Sequence, residues 1–365
     1  MRILVYEFAS GGGCAGRPVP ASLAREGRAM LTALLEDLAS IGRHEIVTTT
    51  DRRLALTAPR GIDVVAIDSS GSARYDDLVA SVDAVWLIAP ETGRCLERLA
   101  ATVERNGTAL LGAGSTAIRR ASDKQRLPRR LARCGVSHPR TRVLRPGAEA
   151  RAIANDLGYP IVVKPARGAG CDGVGLARNH RELRAAIEVA NRCSAGLSAP
   201  RRGPERAALL LQAYVSGLAA SVSLISDGRR AVALSLNAQT IRAAPAFSYR
   251  GGHTPLDHPL ARRAIAAAIR TCEAVPGLRG YVGVDVVLTD TDAVVIEVNP
   301  RLTTAYLGVR SALTAPNGSS NIAAMAIDAC RGTLPTPPRI RRRVEFTSSG
   351  RIVSTGLVLT TRVNA

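Results

Sequence analysis

The sequence predicts an α/β domain followed by an α+β body. Three observations predict it. Apolar strand-like runs alternate with helical periodicity through the first third of the chain. A β-branched run ends in Lys164 and opens at once into a glycine-rich loop. Two late strands, Val282 to Leu288 and Ala293 to Val298, each carry one acidic residue in an apolar run, Asp285 and Glu297.

In order, Ile3 to Phe8, Glu45 to Thr50 and Val82 to Ala89 read as strands, and Leu23 to Ile41 as a helix. A helix over Arg94 to Glu104 and the short strand Ala109 to Leu111 complete a first domain over 1–115. Ser115 to Cys134 reads as helical, Arg140 to Leu144 as a strand and Glu149 to Leu157 as a helix. Ile161 to Lys164, the loop from Arg167 to Gly175 and the returning strand Val174 to Ala177 read as a hairpin, so 116–205 forms a second unit. A surface loop is expected over 194–205. A third unit over 206–365 takes strands at Leu209 to Val215, Ser221 to Ile225 and Ala231 to Leu236, a helix at Pro259 to Glu273, the two late strands and a terminal hairpin turning at Ser348-Ser349-Gly350.

With 365 residues the chain is long enough to bury a large core without disulfides. Its seven cysteines are scattered, with no CxxC pair and no zinc spacing. No apolar run reaches membrane-spanning length, and Met1 to Phe8 runs straight into a glycine stretch without a long apolar region or small-residue cleavage site, so a cytoplasmic protein without a membrane partner is expected. The net charge of +19 suggests nucleic acid, but the arginines are dispersed and aromatic residues make up only 3%, which argues against a stacking or backbone-tracking surface. Only two of the 49 basic side chains are lysines, Lys124 and Lys164. In so arginine-biased a chain, each lysine asks for a reason.

Glycines free the backbone N–H groups around phosphate oxygens. The loop holding Gly168, Gly170 and Gly173 is neither a P-loop nor a dinucleotide fingerprint, since no Gly-Lys-Ser/Thr follows and no helix opens there. On its glycines alone it reads equally as a flexible surface hairpin. Lys164 just before it shifts the balance, because a strand-anchored ammonium facing a glycine lid can hold nucleotide phosphates. On the late strands, Glu297 and Asn299 are two apart and face one side, and Asp285 reaches them from the neighbouring antiparallel strand. Three hard oxygen donors of this kind suit Mg²⁺.

Ser122-Asp123-Lys124, Gly135 to Thr141, Val162 to Pro165 with the glycine loop, Leu211 to Gly217, and Asp285, Glu297 and Asn299 together resemble the ATP-grasp superfamily. The resemblance implies an ATP-grasp fold with an N-terminal Rossmann-like pre-ATP-grasp domain, and ATP with Mg²⁺, two ions, Mn²⁺ being the substitute. It implies phosphate contacts from Lys124 and Lys164, a lid at the glycines, an adenine hinge at Gln212, Ala213, Tyr214 and Val215, and metal ligands at Asp285, Glu297 and Asn299. This chain has Gln212 where many relatives carry glutamate, and Ala219 or Ala220 where an acid commonly binds ribose. The segments Tyr6 to Gly13 and Asn299 to Gly308 resemble the branch holding the tyramine/glutamate ligases of methanofuran-type cofactor biosynthesis.

The resemblance implies a carboxylate-amine ligase forming an acyl-phosphate, with small-molecule carboxylate and amine substrates, no nucleic acid, and a homodimer as an open arrangement. Lys164 and Arg301 are the catalytic candidates: fixed positive charge offsets that of the carboxylate and triphosphate. A ligase of another amino acid or peptide, a non-catalytic ATP-binding protein and a basic nucleic-acid binder are the alternatives. His253 and the turn Ser10 to Gly13 stay outside the expected site; the turn lies where open α/β sheets bind ligands, but reads equally as a tight turn.

Overall fold

The computed structural model describes the chain except residues 69–70, 146–148, 167, 169, 197–207, 243–246, 314–320 and 363–365. Three sheets organise it. The first holds β1 (Arg2–Glu7), β2 (Glu45–Asp51), β3 (Ile62–Ile67), β4 (Ala84–Ile88) and β5 (Ala109–Leu110), all parallel, in the order β3-β2-β1-β4-β5. The second holds β6 (Thr141–Leu144), β7 (Ile161–Pro165), β8 (Gly175–Ala177) and β9 (Leu209–Ala213), in the antiparallel order β6-β9-β7-β8. The third holds β10 (Leu218–Asp227), β11 (Ala231–Arg242), β12 (Ser248–Thr254), β13 (Arg279–Leu288), β14 (Ala293–Asn299), β15 (Arg339–Thr347) and β16 (Ile352–Arg362), in the order β14-β13-β10-β11-β12-β15-β16.

The helices are α1 (Ala21–Ile41), α2 (Gly71–Ala80), α3 (Cys95–Arg105), α4 (Ser115–Ala121), α5 (Leu127–Arg133), α6 (Ala150–Leu157), α7 (His180–Gly196), α8 (Ala261–Glu273), α9 (Ala305–Leu313) and α10 (Ile322–Cys330). The stretch expected to be helical from Ser115 to Cys134 is two helices, α4 and α5, broken by the turn that carries Lys124. The strand at Leu209, grouped by sequence with the C-terminal unit, pairs inside the second sheet. Part of the expected loop, 197–205, lies outside the described residues.

Strand β1 shows why the first sheet is parallel and covered. Ile3 and Val5 point into one core, Leu4 and Tyr6 into the other, so the strand is apolar on both faces. Helix α1 lays Leu31, Leu34, Leu35 and Leu38 on one of those faces and ends at Gly42 in the left-handed conformation. Both cores continue into the third sheet: Val222 and Val284 share one with Leu4, Tyr281 and Ile225 the other with Ile3. The second sheet packs α6 and α7 around a separate core of Ile161, Val163, Leu183 and Leu211. The first and third sheets are therefore one packed body, and the second sheet carries its own.

Within that body the first and third sheets' helices are also clasped by charge. Asp37 of α1 accepts from Arg310 Nε and Nη2, at 3.0 and 2.7 Å, and from the Tyr306 hydroxyl.

The turn after β1 is filled by its own packing. Glu7 is buried, and its carboxylate accepts from Ala9 N at 3.0 Å, Ser10 N at 2.5 Å and Ser10 Oγ at 2.6 Å. A Cβ at Gly27 of α1 would lie 2.2 Å from Glu7 Oε1. Alanine in a helix interior normally gains about 1 kcal/mol over glycine. Here the carboxylate is pinned by three donors and cannot yield, so Gly27→Ala is expected to lose about 1–2 kcal/mol. Urea unfolding decides the sign; a stabilised variant would contradict this packing.

Candidate functional site

Each candidate side chain is placed by local backbone chemistry. Lys124 sits in the turn between α4 and α5, where Asp123 Oδ1 accepts from the N–H groups of Gln125 and Arg126, each at 3.1 Å, and fixes the turn. Its Nζ donates to Glu297 Oε2 at 2.6 Å, and the two side chains are only 12% and 15% exposed. Asp285 and Glu297 are direct partners across β13 and β14, with Asn299 two residues on, so all three share one face. Asn299 Nδ2 donates to Asp285 Oδ2 and Gln239 Nε2 to Asp285 Oδ1, both at 2.9 Å.

Lys164 faces the same region from the second sheet. Thr141 pairs with Gln212, and Gln212 with Val162, two residues from Lys164, so the three side chains line one face. Gln212 Oε1 accepts from Lys164 Nζ at 2.9 Å, and Gln212 Nε2 donates to Thr141 Oγ1 at 2.8 Å. The Gln212 side chain therefore orients the lysine. Along the hinge, Ala213 N donates to Arg140 O at 2.9 Å and Tyr214 N to Pro160 O at 3.1 Å, because the sheet continues through them. Among the described residues the Val215 N–H has no such partner. The Tyr214 side chain is 39% exposed.

The glycine hairpin joins β7 to β8. Gly170 and Gly173 have φ of +63° and +72°, which other residues rarely adopt. A Cβ at Gly173 would also lie 2.9 Å from the Cβ of Cys193, whereas Gly168 has room. Arg167 and Ala169 of this loop lie outside the described residues. Cys171 at its tip is within electrostatic reach of Glu297 and Asp285; burial and those charges push its thiol up to about 12, which favours the protonated form.

The electrostatics follow from burial. Burial and the charge of Glu297 hold Asp285 well above the carboxylate range. Burial opposes the charge on Glu297, but Lys124 and Lys164 outweigh it and draw its pKa down. Burial likewise opposes the Lys124 charge, and Glu297 outweighs it. Among the described residues Lys164 has no carboxylate hydrogen-bonded to it; burial and the neighbouring Lys124 lower it to about 8. Among the described residues no group of three His, Cys, Asp or Glu side chains is placed to hold a metal. Asp285 and Glu297 do fit a divalent cation, because two buried facing carboxylates carry a repulsion that such an ion relieves. A half-turn of the Asn299 amide would add its Oδ1.

Arg301, directly after β14, is not a free guanidinium. Its Nε and Nη2 donate to Glu91 Oε1 and Oε2, each at 3.0 Å, and its Nη1 to Leu302 O at 2.9 Å. Glu91 and Gln239 were not singled out from sequence, and Thr141 entered only as the end of the Gly135 to Thr141 motif, with no role assigned. Glu91 lies 210 positions from Arg301 and carried no motif; Gln239 had only its strand alternation as a signal. His253 lies in β12 opposite Glu345, and burial lowers its pKa. Ala220 is fully buried and contributes no surface to a ligand.

Lys164 on the second sheet and Lys124 in the turn before α5 both lie within electrostatic reach of Glu297, which stands beside Asp285 on the third sheet. The chain belongs to the ATP-grasp domain family, which matches residues 121–305, and the pre ATP-grasp 3 domain matches residues 44–118. It is similar to tyramine–L-glutamate ligase of Methanocaldococcus jannaschii, 37% identical over 102 residues, 28% of this chain; the match spans 32% of that relative's length. Among solved structures it is similar to a protein of Archaeoglobus fulgidus described as belonging to the ATP-grasp superfamily, 27% identical with a TM-score of 0.66 and covering 94% of this chain and 92% of that one. The biotin carboxylase domain of Hydrogenobacter thermophilus 2-oxoglutarate carboxylase, in complex with MgADP, shares the fold at 17% identity and a TM-score of 0.73, over 94% of this chain and 73% of that chain. Among the described residues no helix is long and apolar enough to cross a membrane.

An anion held against Lys164 needs the protonated amine. Affinity for MgADP is therefore expected to fall as pH rises through about 8, by up to about tenfold per pH unit. Lys164→Arg stays protonated and should lose the dependence, and Gln212→Glu should move the decline upward by supplying a counter-charge. Calorimetric titration across about pH 7 to 9.5 checks this; flat wild-type affinity would contradict it.

Proposed function

We propose that the protein is an ATP-dependent carboxylate-amine ligase that joins glutamate to tyramine, or to a related tyrosine-derived amine, in the assembly of a methanofuran-like one-carbon cofactor. The observation that carries the ligase reading is that Lys124, from the turn before α5, and Lys164, from the second sheet, both act on the carboxylate of Glu297, which lies beside Asp285 and Asn299 on the third sheet. Support for the substrates comes from the similarity to tyramine–L-glutamate ligase, whose match spans about a third of that relative.

Lys124 and Lys164 hold the triphosphate, and the hairpin with Gly168, Gly170 and Gly173 covers it. The Val215 N–H, which has no partner in the hinge, and the Ala213 carbonyl receive the adenine, while Gln212 holds Lys164 in place and Tyr214 borders the base. Asp285, Glu297 and Asn299 hold Mg²⁺, which offsets the negative charge of phosphates and carboxylate when bound. The substrate carboxylate oxygen attacks the γ-phosphorus and ADP leaves, giving an acyl-phosphate. The amine then attacks its carbonyl carbon, losing a proton, and inorganic phosphate departs. Arg301 directs its remaining N–H groups at the transferring phosphoryl group. The hairpin excludes water, which would otherwise hydrolyse the acyl-phosphate.

ADP release from ATP, Mg²⁺ and glutamate is expected to require tyramine, and Glu297→Ala to lower it by at least about 100-fold. Release with glutamate and a different amine would replace the tyramine assignment. Nucleotide binding with no release across carboxylates and amines would overturn the ligase reading.

A further inference from the structure

Arg301 is the only candidate catalytic group whose direction is set from the N-terminal sheet. Its guanidinium is 13% exposed and Glu91 6%, and three of its five N–H groups are committed to Glu91 and to Leu302 O. A bidentate carboxylate fixes both the plane of the guanidinium and its rotation about the side chain, which one hydrogen bond would not. Glu91 follows β4 by three residues, at the carboxyl edge of the parallel sheet. The order β3-β2-β1-β4-β5 reverses between β1 and β4, so this edge is the switch-point crevice where open α/β sheets meet ligands. Glu91 is also within electrostatic reach of Lys124.

Holding the bodies together does not require this pair. Burying both charges costs desolvation that their attraction returns only in part, and apolar residues of similar volume often do as well. The two cores shared by the first and third sheets already join them. What the pair adds is orientation: among the described residues two guanidinium N–H groups have no hydrogen-bond partner, and the group lies within electrostatic reach of Glu26 and Glu297. We infer that Glu91 is a positioning residue that aims Arg301 at the transferring phosphoryl group, so that the N-terminal sheet supplies part of the phosphoryl-transfer machinery. The inference rests on the ligase reading for the role of Arg301.

The test uses MgADP with aluminium fluoride, a mimic of a phosphoryl group in transfer, so that no unidentified substrate is needed. Glu91→Gln is expected to weaken the aluminium fluoride complex about 10- to 100-fold while MgADP alone binds within about twofold of wild type. Arg301→Ala should show a similar loss, and the double variant no more than Arg301→Ala alone, because the two act as one unit. Glu91→Asp keeps the charge but withdraws the carboxylate by one methylene; it should be intermediate, and serves if Glu91→Gln does not fold. Wild-type affinity in Glu91→Gln, additive losses in the double variant, or equal weakening of MgADP alone would overturn the inference. Wild-type affinity in Arg301→Ala would remove it together with the Arg301 assignment, while the ligase reading would still stand or fall on substrate-dependent ADP release.

Discussion

The contact on which the rest of the site depends is the hydrogen-bonded ion pair between Lys124 and Glu297, 2.6 Å long and largely withdrawn from water. It joins the turn before α5 to the edge of the third sheet, 173 positions apart, and it decides how the neighbouring charges settle. With Lys124 engaged by Glu297, Asp285 is left with amide donors and a like charge beside it, and Lys164 with an amide oxygen. The outcome is a carboxyl whose ionisation is resisted and an ammonium whose charge is weakened. Both are the imbalances that a metal–polyphosphate ligand would correct, one by supplying cation and the other by supplying anion.

The sheets convert this balance into a site by register. Asp285 opposite Glu297, and Thr141 opposite Gln212, place four polar side chains from two sheets on facing surfaces. A slip of one residue in either ladder would turn the set into a core. The packing divides labour in the same way. The carboxylates stand on the body that shares its cores with the N-terminal sheet, whereas Lys164 and the glycine hairpin stand on the sheet with its own core. A unit packed mainly within itself can shift relative to its neighbour without opening either core, which is the property a covering hairpin needs.

Much of this was legible in the sequence because the informative residues obey short-range rules. Alternation put Glu297 and Asn299 on one face, and the strand-end Lys164 before glycines announced the hairpin. The rarity of lysine marked Lys124. What the sequence did not carry was long-range partnership. Nothing near Glu91 pointed to Arg301, and Gln212 read as a hinge residue because its bond to Lys164 depends on the pairing of β9 with β7. Strands β3 and β12 and helices α2, α7, α9 and α10 were missed as elements, the β12 segment around His253 having read as a turn: Ile62–Ile67 is short and half-exposed, and α9 and α10 are apolar nearly all round, which blurs helical periodicity. The glycines after β1 read equally as a ligand position or a tight turn; in the structure a Cβ at Gly11, Gly12 or Gly13 would strike the Glu7 carbonyl, Ile67 or Phe8.

The central claim is that the two carboxylates and two lysines form one metal–nucleotide site. Its most direct test is calorimetric titration of ADP with and without Mg²⁺, in the wild type and in Asp285→Asn. The account predicts that Mg²⁺ tightens ADP binding by about tenfold or more in the wild type and that Asp285→Asn removes most of this gain while metal-free affinity is kept. ADP affinity that ignores Mg²⁺ in the wild type, or a Mg²⁺ effect that survives unchanged in the variant, would contradict it.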